Sequence, residues 1–414
     1  MAEGIDSGRN LRVLVVGYSG ANNTGAEALL RADIEDLRAV LGGSASITVP
    51  SLNVENLRRY LPEGSGLSIV RMPLIFLTKV PRLVRRHDLV VLVEGSMFMD
   101  TWGSALLWYF LWNAYWAHRF GKPCLAYAVD AGELSTRNQR LTARIVSRMG
   151  LVVVRAQAAA ARLQAYGVTA PVQITADNAL TFASDPADAA VIERVWPEGS
   201  RGVVGLAAVN FHLFPVKVRP FAAKTQRYRW PYAYSHSPDR SRAATALAEA
   251  YAELADWIIE EEDRSVALIC MEELDGPFAE TIRRRMRHAD EAQIFSSRDH
   301  NASQMVGILR RLDGLVTSRY HAAILSLAAA VPQIAVGHDY RLRSLYRELG
   351  LSELFVEPQT ADLVETLKEH VHRLLADPEP RRATLRRGHE ELLGRARQNR
   401  EHLRAFLSRL GMAP

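Results

Sequence analysis

Short β-rich runs alternate with helical periods from the start of the chain. Residues 11–16 form a short β-rich run, and residues 25–41 repeat apolar Leu29, Leu30, Ile34 and Leu37 at helical spacing, which together predict a βα unit. Further strands are predicted at 46–49, 89–93, 124–129, 151–154 and 172–175, with helical stretches between most of them. Runs that are apolar at nearly every position imply a parallel sheet covered on both faces. Around Pro186, Pro197 and Gly199 the periodicity fades, so the domain junction is placed at 185–201. A second series then predicts strands at 203–209, 266–271, 293–295, 315–317 and 333–336, and helices at 242–259, 278–287 and 322–330. The expected fold class is α/β with two Rossmann-like domains facing a cleft. Residues 1–184 form the first, residues 200–358 the second, and 359–414 a helical cap broken by Pro378 and Pro380.

The length of 414 residues and a 48% hydrophobic content suit two cores rather than one. A formal charge of +5 favours anionic partners, and without a polybasic tail or a nucleic-acid motif a small phosphorylated ligand ranks above nucleic acid. Cys124 and Cys270 lie in apolar strands and read as core residues. Glu3, Asp6 and Arg9 precede the first strand where a secretory signal would need an apolar run, so residence in the cytoplasm is expected. The apolar run 105–117, interrupted by Asn113, is shorter than the roughly 20 residues that span a bilayer.

Within 211–241, Phe211, His212, Phe214, Lys217, Arg219, Lys224, Arg227, Trp230 and Tyr232 interleave rings and cations, as a lid over an anionic or ring-bearing substrate would, although a solvated insertion has the same length. Trp108, Trp112 and Trp116 recur at helical spacing. Such a stripe usually fills a core, and with Arg82, Arg85 and Arg86 nearby it leaves a peripheral membrane contact open as a second reading.

Polar groups beyond the carboxyl ends of parallel strands carry the chemistry of open α/β sheets. The turn Gly17-Tyr18-Ser19-Gly20-Ala21-Asn22-Asn23-Thr24-Gly25-Ala26-Glu27 follows the first strand and fits neither the dinucleotide fingerprint nor the Walker loop. It can cradle an anion or simply start a helix with Thr24 as cap. Glu94-Gly95-Ser96, with Asp100 beyond, follows the strand at 89–93, and Asp130 and Asp177 follow two others; each can equally anchor a loop. Ser318-Arg319-Tyr320-His321 stands where the strand at 315–317 turns into a helix, pairing a guanidinium suited to phosphate or carboxylate with an imidazole that titrates near neutrality.

Taken in order, the 17–27 turn, the 94–100 turn, Asp177, the block Ser318-Arg319-Tyr320-His321-Ala322-Ala323, and then Pro332, Gly337-His338-Asp339 and Arg341 resemble the polysaccharide pyruvyl transferase family from about residue 13 to 351. That resemblance implies a fold similar to B-type glycosyltransferases. It also implies transfer of a pyruvyl group from phosphoenolpyruvate to sugar hydroxyls as a ketal, with no metal and no other cofactor. His321, Arg319 and Glu94 would be catalytic. Asn23, Thr24, Gly25, Glu27, Gly95, Ser96, Asp100, Asp130, Asp177, Asn210, Ser318 and Arg341 would bind substrate, the first half serving the acceptor and the second the donor. The partners would be phosphoenolpyruvate and a sugar or lipid-linked glycan, at the inner face of the membrane or in the cytoplasm, with a homo-oligomer left open. Departures from the family pattern are Glu94 in a double-glycine turn, Ala156 after Arg155, Ala159 for serine, and Arg341 for lysine. They leave a non-catalytic homologue as one rival, and the two-domain cleft with helix-start phosphate sites, which serves both chemistries, leaves a nucleotide-sugar glycosyltransferase as another.

Overall fold

The structure is a computed structural model that describes residues 10–43, 45–64, 66–101, 103–197, 202–210, 213–214, 216–219, 221, 223, 227–229, 232–337 and 339–412. Phe211, His212, Lys224, Trp230 and His338, all singled out above, lie outside the described residues. The chain divides into two compact units. One takes the described residues up to 21, then 26–183 and those from 392 on; the other takes 22–25 and 184–391.

The first unit is built on β1 (Arg12–Val16), β2 (Ser46–Ser51), β3 (Leu67–Arg71), β4 (Leu89–Leu92), β5 (Cys124–Val129), β6 (Leu151–Val154) and β7 (Val172–Ile174), all parallel, in the order 3-2-1-4-5-6-7. Successive side chains point to opposite faces of a strand. Val13 and Val15 therefore pack with Leu30, Ile34 and Leu37 of the helix Thr24–Leu41, while Leu14 and Val16 pack with Val80, Leu107 and Phe110 on the other face. Both faces are covered, which is why β4, β5 and β6 read as unbroken apolar runs. Each such fully buried Val or Leu contributes about 1.5–3 kcal/mol. β3 has no such run: it is an edge strand with exposed Ser68 and Arg71, and the apolar pattern does not announce it.

The second unit holds β8 (Val203–Ala207), a small antiparallel sheet of β9 (Val216–Val218), β10 (Arg227–Arg229) and β11 (Tyr232–Tyr234), then β12 (Ser265–Cys270), β13 (Ala292–Ser296), β14 (Gly314–Thr317), β15 (Gln333–Val336) and β16 (Phe355–Val356). Its parallel sheet runs 13-12-8-14-15-16, so in chain order within the sheet it is again 3-2-1-4-5-6. Two Rossmann-like sheets are thus present. In each, the strand order reverses beside the first strand, between β1 and β4 and between β8 and β14, and ligands bind beyond the carboxyl ends at such a point. The 211–241 segment holds the three short strands β9 to β11 where a loop was expected.

The segment 359–414, expected as an outer cap, is divided between the units. The helix Leu363–Ala376 and the start of the helix Glu379–Arg409 belong to the second, and residues from Leu392 on belong to the first. Leu403, Phe406 and Leu407 are buried in the core on the β1 side, with the Phe406 ring lying over Gly150. A charge-rich helix with one apolar stripe looks alike in sequence whether it lies outside or completes a core. Among the described residues no helix is long and apolar enough to cross a membrane.

Candidate functional site

β14 ends at Thr317, whose hydroxyl accepts from the Arg319 amide at 2.9 Å and donates to the Arg319 carbonyl at 3.0 Å. The Ser318 amide donates to Ala207 at the end of β8, and its hydroxyl lies 3.3 Å from the Tyr251 hydroxyl. This turn sets Arg319 immediately before the helix Tyr320–Ser326, so His321 falls in the first turn of a helix that begins two residues earlier than predicted.

The Arg319 side chain points at the loop after β12. Its Nε donates to Asp275 Oδ2 at 3.0 Å, its Nη2 to Asp275 Oδ1, and its Nη1 to Glu272 Oε2 at 3.3 Å. Burial pushes both carboxyls above their usual range against the pull of Arg319. Burial works against the guanidinium charge too, but the two carboxylates outweigh it and hold Arg319 protonated. The arginine expected to meet a ligand anion is therefore fixed first by two protein carboxylates. Sequence reading missed Glu272 and Asp275. The signal for them was a cluster of acids directly beyond a fully apolar strand.

The turn 22–25 docks on that same loop. Asn22 adopts a left-handed φ of 49°, its carbonyl accepts from Ser297 Oγ at 2.6 Å and from the Glu273 amide at 3.0 Å, and its Nδ2 donates to Glu273 at 2.8 Å. Asn23 forms a bridge with Glu272, and the Thr24 amide donates to Met271 at 2.8 Å. Thr24 is the first residue of its helix rather than the cap. A Cβ at residue 25 would lie 2.1 Å from His321 Nδ1, so only glycine lets the imidazole sit there. Two motifs nearly 300 residues apart in sequence, the glycine turn and the Arg-Tyr-His block, thus meet within one unit. Arg341 lies close by in the chain order of the unit: its guanidinium is paired with Asp339 and stands 5.8 Å from the Tyr320 ring centroid. Asn210 follows β8, half-buried, with its carbonyl accepting from Leu213 at 2.9 Å.

In the first unit the predicted residues line the carboxyl ends of consecutive strands. Glu94, after β4, accepts from the amides of Tyr18 and Ser96, both at 3.1 Å, and so ties the β1 and β4 turns together. Asp130 after β5 and Asp177 after β7 both bind Arg155 after β6, the first at 3.0 Å through Nε and the second through Nη1. A Cβ on Gly95 would come within 2.6 Å of that guanidinium, which explains the glycine. Asp177 also caps the turn Asn178–Thr181 through Ala179 at 2.9 Å. The two aspartates, expected to bind substrate, share Arg155 as a partner, which ties the ends of β5, β6 and β7 together. Ala128, with a left-handed φ of 53° at a break in the β5–β6 register, re-aims the chain just before Asp130. Asp100 is a loop anchor, accepting from Ser135 Oγ at 2.8 Å and Asn138 at 2.6 Å. Glu27 is buried and pairs with Arg59 at 3.4 Å.

Residues 23–340 match the family model described as polysaccharide pyruvyl transferase. No curated relative matches the chain by sequence. Among solved structures, an S. aureus MnaA–UDP complex is similar at 9% identity and a TM-score of 0.60, covering 96% of this chain and 97% of that one. Sucrose-phosphate synthase from Thermosynechococcus elongatus is similar at 11% identity and 0.58, covering 97% and 98%. UDP-GlcNAc 2-epimerase from Methanocaldococcus jannaschii is similar at 12% and 0.54, covering 88% and 93%. At such identities the likeness is one of fold.

Proposed function

The chain belongs to the polysaccharide pyruvyl transferase family and is an enzyme of it, and from that premise we propose that it moves a pyruvyl group from phosphoenolpyruvate onto two hydroxyls of a sugar. The observation that carries this reading is the seating of His321 against Gly25 beside an Arg319 locked in place by Asp275 and Glu272. An imidazole held at a fixed position can deliver and remove protons, and a fixed cation beside it stabilises an anionic donor without reorganising during the reaction.

His321 protonates the methylene carbon of the enol, one acceptor hydroxyl adds to the adjacent carbon and gives up its proton, and phosphate departs with the electrons of its carbon–oxygen bond. The second hydroxyl then adds and loses a proton, so two carbon–oxygen bonds form and one breaks. In this reading Arg319 and Arg341 hold the donor carboxylate and phosphate.

Incubation with phosphoenolpyruvate and a panel of glycans tests this. Phosphate release accompanied by a product carrying one carboxyethylidene group is expected, and His321→Ala should lose it while keeping its melting temperature. Thermal stabilisation by a nucleoside diphosphate but not by phosphoenolpyruvate would overturn the donor assignment in favour of a nucleotide sugar.

A further inference from the structure

We infer that the first unit carries a docking face for an anionic lipid surface, built from the loop after β3 and the two helices that follow it. Leu74, Ile75 and Leu77 are 42%, 67% and 52% exposed, in a loop only a few residues long. The loop is not loose: Phe76 turns inward to pack edge-on against Tyr109 with ring centroids 5.1 Å apart, and the Leu77 carbonyl accepts from Trp112 Nε1 at 3.1 Å. Fixing Phe76 inside presents its three aliphatic neighbours outward. The same helix, Ser104–Arg119, adds exposed Trp108 and Tyr115, with Trp112 stacked on Tyr115 at 5.4 Å. Trp116, part-buried like Trp112, stacks on Phe120 at 5.0 Å and meets Trp112 and Tyr115 edge-on at 5.5 Å. The tryptophan stripe therefore splits into an exposed Trp108 and two rings partly packed on the core, which helical spacing could not resolve.

Charge identifies the occupant. Neither 72–87 nor 104–120 contains an Asp or Glu. Arg82, Arg85 and Arg86 on the helix Lys79–Arg86 are exposed and make no ion pair among the described residues, whereas exposed Arg58, Arg71, Arg242 and Arg343 each have a carboxylate partner. An aliphatic tip, aromatic side chains with polar edges and unneutralised cations together fit a membrane interface with anionic headgroups. A second copy of the chain fits worse, because a two-fold pairing sets these arginines against their own equivalents. The inference does not depend on the identity of the donor; it accounts for how an enzyme without a spanning helix among its described residues would reach a lipid-linked acceptor.

Flotation of the full chain with vesicles of phosphatidylcholine alone, or containing phosphatidylglycerol, tests it. Binding is expected to the anionic vesicles, to weaken with salt, to fall about fivefold for each of Arg82→Gln, Arg85→Gln and Arg86→Gln, and to fall at least about tenfold for Ile75→Asp. The Ile75→Asp protein should keep its melting temperature and its phosphate release on a water-soluble acceptor, which separates lost docking from lost folding. No binding to anionic vesicles at low salt, or undiminished binding by both the arginine and the Ile75 variants, overturns the inference. So does a wild-type dimer in light scattering that Ile75→Asp converts to monomer, because the face then belongs to a second copy.

Discussion

His321 has space for its ring because residue 25 has no side chain. Gly25→Ala would drive the imidazole out of position, and a displacement of about 1 Å costs on the order of a hundredfold in rate. The expected outcome is a kcat for phosphate release reduced by that factor, measured beside circular dichroism that shows the helices intact. Arg319 is the converse case, a buried cation whose loss leaves Asp275 and Glu272 facing each other. Arg319→Met is expected to cost about 3–5 kcal/mol in a denaturant titration. Asp33 offers a pH test. Burial first, then the charges of Asp36, Asp177 and Glu94, raise its carboxyl well above the ordinary range, against the lowering effect of its hydrogen bond from Asn178. A folded value above the unfolded one means the native state holds the proton more tightly. The stability from this group is therefore full below the unfolded value and is lost as pH rises through the raised one. Melting temperature should fall across that window in the wild-type protein, and Asp33→Asn should flatten this part of the profile.

The helix Glu379–Arg409 brings distant sequence into the first core. Besides Leu403, Phe406 and Leu407, it supplies Asn399, which hydrogen-bonds Thr175, Ala176 and Asn178, and Arg400, which pairs with Asp36 at 2.6 Å. Phe406→Ala is expected to cost about 3–5 kcal/mol, read from denaturant midpoints. Chains ending at residue 391 should lose soluble expression, which a surface cap would not cause. The strands show which elements announce themselves. β5 and β6 were legible to the residue because both their faces are covered, so every position is apolar. β16, of two residues, and the half-exposed β3 were not, since neither holds enough consecutive apolar positions to carry a period.

Across the whole chain, two sheets repeat one strand order, and in each, polar residues predicted for function stand beyond the carboxyl ends of strands. With a formal charge of +5, the protein should capture an anionic donor faster at low ionic strength. kcat/KM for phosphoenolpyruvate is expected to fall several-fold as salt rises past the level where charges are screened beyond about 10 Å, and a salt-independent value would show that net charge plays no part in capture.

That these glycines, the Arg-Tyr-His block and the acidic residues would stand at strand ends was readable from the chain alone, because the apolar runs before them mark the strands. Partnership was not readable. Whether Arg155 would hold Asp130 and Asp177, whether Asp275 and Glu272 would claim Arg319, and whether the last helix would cover a core or lie outside are matters of three-dimensional proximity between segments up to a few hundred residues apart. Local periodicity reports which face of an element is apolar, and burial is settled when another element arrives to cover that face.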